Sequence, residues 1–333
     1  MEKWPVSDSQ APLKGTARHV LVTSASRKAP LVRAMQDAVR RIHPEARVIA
    51  GDLDPEAPAR YVADGFWQMP PVTDAELPAL IQGCHQRGVA VVFPTRDGEL
   101  PFWARHRATL SAAGISVVVS NPEAVERCLD KLAFARFGQE VGLPVIEAAM
   151  TPEAVGAGPY VVKERYGAGS RAIGLDLPID AARHHAQSLE APIYQPFVPG
   201  PEISIDGWLD RDGSVVGVLL RRRDRVIAGE SQITTTFRSE ALEREAVRAL
   251  AALDLRGPVV MQAIVIDDTL RIIECNPRFG GASTTAIAAG LDVLYWSLDE
   301  AFGLGLPPVF NRIAGEVRQV RLPADLVLHD PDF

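Results

Sequence analysis

Cysteine is scarce in this chain. Cys84, Cys128 and Cys275 are odd in number, far apart and without metal-ligand spacing. That excludes a disulfide framework and a structural zinc site, and a reducing cytoplasm fits better than secretion. Basic residues are in deficit: 35 Lys and Arg stand against 42 Asp and Glu, a net charge of −7. A general nucleic-acid binder carries a basic excess instead. Long apolar runs are missing too. The better ones, residues 89–93 and 115–119, have the length of strands rather than of a membrane span. Residues 1–17 lack the apolar core of a signal peptide and read as a mobile tail.

Two nucleotide fingerprints are absent. The first apolar run, 19–23, leads into Ser24-Ala25-Ser26-Arg27-Lys28, which has no glycine where a dinucleotide site wants GxGxxG. No glycine-lysine-serine or glycine-lysine-threonine follows the later glycine-rich stretch, so there is no Walker A loop. No internal repeat or low-complexity segment stands out. What is present, 47% hydrophobic and 23% charged residues, is the composition of a soluble globular enzyme. At 333 residues the chain exceeds one simple core, which predicts two or three domains sharing a cleft.

The organising stretch is residues 270–283. Residues 270–275 are apolar and β-branched and read as a strand. Glu274 and Asn276 fall on one face; Ile273 and Cys275 suit a core on the other. Pro277 ends the strand, Arg278 follows, and Gly280-Gly281 open a loop whose bare backbone can approach a ligand. A carboxylate and an amide oxygen with a guanidinium beside them suit a magnesium ion carrying nucleotide phosphates. The run before it, 259–266, is apolar except for Gln262. If the turn is the three residues Asp267-Asp268-Thr269, Gln262 lies opposite Glu274 and joins the set; a two-residue loop turns it away. Taken alone, Glu274 and Asn276 fit a solvated strand end equally well.

Upstream, strands and helices alternate over residues 19–120, which implies a small parallel sheet with ligands beyond its carboxyl edge. Arg27, Arg96, Asp97 and Glu99 fall there, as grips for a second substrate or as helix caps and surface pairs. Asn121 with Pro122 begins a helix that carries Asp130-Lys131, and Lys131 could reach a phosphate. Residues 159–163 form a short strand ending in Lys163, followed by a hairpin rich in glycine, with Gly167, Gly169 and Ser170, through Gly174. Such a loop can fold over a triphosphate while Lys163 neutralises charge. Gln195, Pro196, Phe197 and Val198 suit a hinge whose backbone pairs with adenine, and Glu202 suits ribose hydroxyls or a surface ion pair. The basic run at 221–225, which includes Arg223, faces either an anionic substrate or water. Residues 229–236 read as a polar loop, and 315–329 as one more strand with a tail.

Taken in order, Asp130-Lys131, Lys163 with its glycine loop, the segment 195–202, Gln262 and Glu274–Arg278 resemble the ATP-grasp superfamily, most of all carbamoyl-phosphate-synthase large-chain-like proteins. The resemblance covers residues 16–310. It implies an α/β fold: an N-terminal parallel-sheet pre-ATP-grasp domain at 18–120, then a two-lobed ATP-grasp fold (α+β) at 121–310, with the lid lobe near 158–198 and residues 311–333 packed on the body. It implies ATP and Mg2+, with Mn2+ as an alternative. Lys131 and Lys163 would contact phosphates, residues 167–174 would form the lid, Gln195–Val198 would hold adenine and Glu202 ribose. Gln262, Glu274 and Asn276 would hold the metal, and Arg278 would meet the transferred phosphoryl group. The sequence departs from many relatives at Glu164 and Ala172, where proline and glycine are common, and has at Gln262 an amide that brings no charge, as some carbamoyl-phosphate-synthase-like sites also do.

The activity implied is carboxylate–amine ligation of a small acid, such as an amino acid, through an acyl phosphate. Gly281 and Ser283 join the arginines as candidate substrate contacts, and Ser283 fits a cap of the following helix equally well. The rivals are phosphorylation of bicarbonate, carbamate or a small acid without amine ligation, and a non-catalytic ATP sensor. Implied partners are small-molecule carboxylates and amines, with no nucleic acid and no membrane. Many relatives dimerise, which leaves a homodimer open.

Overall fold

The computed structural model describes residues 18–167, 169 and 172–328. The tail expected at 1–17, and Ser170, lie outside the described residues. The described chain falls into two compact units. Residues 18–118, 294–307 and 320–328 form the first; residues 119–293 and 308–319 form the second. Residues 294–307, which the sequence placed in the second domain, group with the first unit.

The first unit is built on a five-stranded sheet. Its strands are β1 (His19–Val22), β2 (Val48–Asp52), β3 (Gly65–Gln68), β4 (Val89–Phe93) and β5 (Ser116–Val117), in the order β3-β2-β1-β4-β5. Every pairing is parallel. Val20, Leu21 and Val22 are wholly buried, as a central parallel strand flanked on both faces requires. Strand β3 was not expected, since only Trp67 of Gly-Phe-Trp-Gln is buried and the segment shows no clean alternation. Trp67 is matched by Gly83 on the helix Leu77–Gln86, where a Cβ would meet the indole ring. Residues 100–112 form two short helices, Leu100–Arg105 and Arg107–Ala112, broken at His106.

The second unit holds two sheets. The smaller has strands β6 (Tyr160–Glu164), β7 (Gly174–Leu177) and β8 (Pro192–Pro196) in the order β7-β6-β8. The larger has β9 (Glu202–Leu209), β10 (Val215–Ile227), β11 (Glu230–Phe237), β12 (Gly257–Ile266), β13 (Thr269–Asn276) and β14 (Arg318–Val320), ordered β13-β12-β9-β10-β11-β14. The helix Glu240–Ala252 lays Leu242, Ala246 and Leu250 into a core with Ile203, Ile205, Met261 and Ile272. That one-sided burial explains why these strands alternate apolar with polar residues.

Three expectations need correction. Residues 230–237 are strand β11, not a polar loop. Thr234, Thr235 and Thr236 are buried there and their hydroxyls are used: Thr234 donates to Arg222 O, Thr235 to Asp224, and Thr236 accepts from Val317 N. β-Branched threonine suits a strand, and its polarity is satisfied locally. The turn after β12 has two residues, Asp267 and Asp268, both at positive φ (47° and 56°). By itself that would have turned Gln262 away from Glu274. Instead the register slips by one residue: Ala263 pairs with Ile272, but Gln262 pairs with Glu274, leaving Ile273 as the extra residue of a β-bulge. The bulge also changes which side chains face inward. Leu270, Ile272 and Cys275 are the core positions, and Ile273 is only partly buried, contrary to its expected place beside Cys275.

Candidate active site

Lys163 is the centre of the candidate site in the second unit. It lies on β6, whose neighbours β7 and β8 complete the small sheet, and the residue is only 5% exposed. Burial holds its ammonium down to about 8; Glu274 and Glu202 favour the charged form and Lys131 opposes it. Those influences bring four expected site residues, from four separate segments, into one electrostatic neighbourhood. Lys131 opens the helix Lys131–Glu140, and its Nζ donates to Gly167 O at 2.7 Å. Asp130 caps that helix, accepting from Leu132 N and Ala133 N, and pairs with Arg165. Burial raises the Asp130 carboxyl, but Arg165 and the Ala133 N–H outweigh it and hold the group below its ordinary range. The start of the glycine-rich loop is thus tied to the helix through both Lys131 and Arg165. Gly167 (φ 112°), Gly169 (φ 81°) and Ala172 (φ 50°) take left-handed backbone, so the alanine stands where glycine would be less strained.

Glu202 begins β9, and Ile264 is its strand partner. Its Oε1 lies 3.2 Å from Gln262 Nε2 and 3.3 Å from Arg223 Nη1. Burial pushes the Glu202 carboxyl up, and Arg223 opposes that shift. Asn276 Nδ2 approaches Glu274 Oε1 at 3.4 Å. Gln262, Glu274 and Asn276 therefore offer one carboxylate and two amides. Among the described residues no group of three or more His, Cys, Asp or Glu could hold a metal ion. A donor set this poor in charge fits a magnesium ion only when phosphate oxygens complete its shell, which is how magnesium is commonly held.

Several expected residues have other employment. Gln195 is buried, and its Nε2 donates to Ile146 O at 3.2 Å. Pro196 ends β8, Phe197 N donates to Pro159 O at 2.8 Å, and Val198 follows partly buried. Of this segment, the Phe197 N–H is already committed within the fold. Arg278 is half-buried, with its N–H on Asn276 O and Nη1 3.2 Å from Phe279 O; Gly281 is exposed.

Ser283 is not an open donor: it is 2% exposed, donates to Asp206 and accepts from Gly280 N at 3.0 Å. Asp206 in turn pairs with Arg221, at 2% and 3% side-chain exposure. The basic run at 221–225 is accordingly no single patch, since Arg221 goes to Asp206, Arg222 to Glu316 and Arg223 to Glu202. Sequence reasoning missed Asp206. The alternation Glu202, Ser204, Asp206 between isoleucines was the available signal, because it places three polar residues on one face of a strand.

In the first unit, Arg27 follows β1 and Arg96 follows β4, both exposed, and Asp97 is partly buried. Glu99 is a buried hub, with three partners inside the protein. It accepts from Thr23 Oγ1 at 2.8 Å, from Ser24 Oγ and from Trp103 Nε1 at 3.3 Å. No helix among the described residues is long and apolar enough to cross a membrane.

Residues 20–118 match the family described as "PylC-like, N-terminal domain", and residues 188–320 match "ATP-grasp in the biosynthetic pathway with Ter operon". The carbamoyl phosphate synthase large chain of Vibrio cholerae is 27% identical over 231 residues, covering 62% of this chain and 21% of that protein. The chain spans about a fifth of the length of the curated relatives it matches. Among solved structures, the biotin carboxylase domain of Hydrogenobacter thermophilus 2-oxoglutarate carboxylase superposes with a TM-score of 0.71 at 17% identity, covering 90% of this chain and 73% of that one. The L-amino acid ligase of Bacillus licheniformis superposes at 0.64 and 18% identity, covering 85% and 74%. A PylC-like segment, then an ATP-grasp segment, together with the carbamoyl phosphate synthase relatives, support an ATP-grasp protein of the carbamoyl-phosphate-synthase-like type.

Proposed function

We propose that the chain is an ATP-dependent carboxylate–amine ligase. A carboxylate of a small acid takes the γ-phosphoryl group of ATP to give an acyl phosphate, an amine attacks the carbonyl, and ADP and phosphate leave. The observation that supports this reading is the buried Lys163 ammonium, whose charge is influenced by Glu274, Lys131 and Glu202 from three other segments of the chain. Catalysis of this kind is mostly positioning and charge neutralisation. Lys163 and Lys131 would meet phosphate oxygens, and Glu274, Asn276 and Gln262 would hold Mg2+. When bound, that ion supplies neutralisation of the phosphate charge. Arg278, next to the strand that carries Glu274, would face the transferred phosphoryl group. The glycine-rich loop, anchored by Lys131 at Gly167, would exclude water that otherwise hydrolyses an acyl phosphate. Arg27, Arg96 and Asp97 are proposed as second-substrate contacts.

The likeness to a biotin carboxylase domain supports a second reading, in which bicarbonate or a small acid is phosphorylated without an amine acceptor. A screen for ADP release over amino acids, small carboxylic acids and bicarbonate, each with and without an added amine, separates them. ADP release that needs both an acid and an amine supports ligation. Release from the acid or bicarbonate alone supports the second reading, and no ADP with any pair would count against both.

A further inference from the structure

Gln262, like Asn276, is a neutral member of the donor set, and its amide has two unlike ends. The oxygen accepts, whereas the NH2 donates and would repel a cation. Strand register brings Gln262 opposite Glu274 but does not choose which end faces it. Glu202 makes that choice. Its Oε1 sits 3.2 Å from Gln262 Nε2, and turning the amide half a turn would set two acceptor oxygens against each other. Glu202 is itself held: Arg223 places Nη1 3.3 Å from the same oxygen, is 8% exposed, and donates Nη2 to Gly229 O at 2.9 Å.

We propose that Glu202, pinned by Arg223, is a positioning residue that turns the Gln262 amide oxygen toward Glu274, so that an uncharged side chain can serve as a cation ligand. The inference rests on the magnesium–nucleotide reading above. It adds to a ribose contact rather than replacing one. Oε1 takes both the Gln262 hydrogen bond and the Arg223 ion pair, and Oε2 has no hydrogen bond among the described residues. Metal ligands elsewhere lose about 10–100-fold in affinity when the group that orients them is removed.

The test uses the full chain, Mn2+ as a paramagnetic probe and saturating non-hydrolysable AMP-PNP. Nucleotide affinity in EDTA is measured separately, to account for any ribose contribution. Glu202→Ala and Gln262→Ala are each expected to weaken Mn2+ by about 10-fold, with the double variant no weaker than either single one. Glu202→Gln is expected to stay within about 3-fold of the parent, because its amide oxygen still accepts from Gln262. If Glu202→Ala does not fold, Glu202→Ala with Arg223→Met removes the buried cation together with its partner and takes its place. Losses that multiply in the double variant, or a Glu202→Gln loss equal to that of Glu202→Ala, overturn the inference. A parent protein that binds no Mn2+–AMP-PNP would instead overturn the nucleotide reading on which it rests.

Discussion

Gln262 and Glu274 stand directly opposite each other across a hairpin whose turn has only two residues, because Ile273 bulges out between them. Had the ladder run on evenly from the turn, Gln262 would have faced Ile273. A one-residue insertion in one strand thus decides which side chains share a face.

The turn of that hairpin can be improved without touching the register. Asp267 and Asp268 both hold left-handed backbone, which glycine adopts freely. Asp268→Gly is expected to raise unfolding free energy by about 0.5 kcal/mol and to leave nucleotide turnover unchanged. Urea unfolding beside an activity assay checks both, and a loss of stability would show that the aspartate makes a contact of its own.

Nucleotide affinity is expected to depend on the charge of Lys163. Its ammonium is held down to about 8, so the free protein carries the positive charge below that pH and loses it above. The dissociation constant for ATP should be flat below about pH 8 and rise by up to about tenfold per unit beyond it. Calorimetric titrations from pH 6.5 to 9.5 (roughly, to bracket that value) would reveal the break, and a flat profile would mean that Lys163 does not meet the phosphates. The unfolded chain binds this proton more tightly, so the Lys163 contribution to stability rises with pH from about 8 toward 10.5.

Glu274→Ala and Lys163→Ala are each expected to reduce ADP formation by at least about 100-fold with unaltered far-ultraviolet circular dichroism. Full activity in a folded Glu274→Ala protein would move the metal elsewhere.

The buried Asp206–Arg221 pair makes a strong stability prediction. Arg221→Met leaves an ionised carboxylate stranded at 2% side-chain exposure and is expected to cost about 3–5 kcal/mol. Replacing both partners with apolar residues should recover most of that loss. Ser283→Ala should cost about 1–3 kcal/mol, because the Gly280 N–H loses its acceptor. Denaturant titration of the three variants distinguishes this from a substrate role, in which Ser283→Ala would be near-neutral for stability and would raise KM.

Glu99→Ala is likewise expected to destabilise the protein by about 1–3 kcal/mol, since Thr23, Ser24 and Trp103 would lose a shared acceptor. An unchanged unfolding midpoint with a large KM effect would return Glu99 to the substrate site.

The sequence by itself determined the alternation of strands and helices in the first unit, the strand that ends at Asn276 and the order of the charged landmarks. Each of these rests on local properties: apolar periodicity, β-branching, proline and glycine. How the polar side chains are spent is set by long-range packing. Arg221, Arg222 and Arg223 read as one basic patch, yet they go to three separate carboxylates, Asp206 and Glu202 on β9 and Glu316 near the far end of the chain. Glu99 and Ser283 read as substrate contacts or helix caps; both are buried, with partners inside the protein. Burial of a polar atom demands a partner, and partners come from segments far apart in the chain, so no local window of sequence contains the answer.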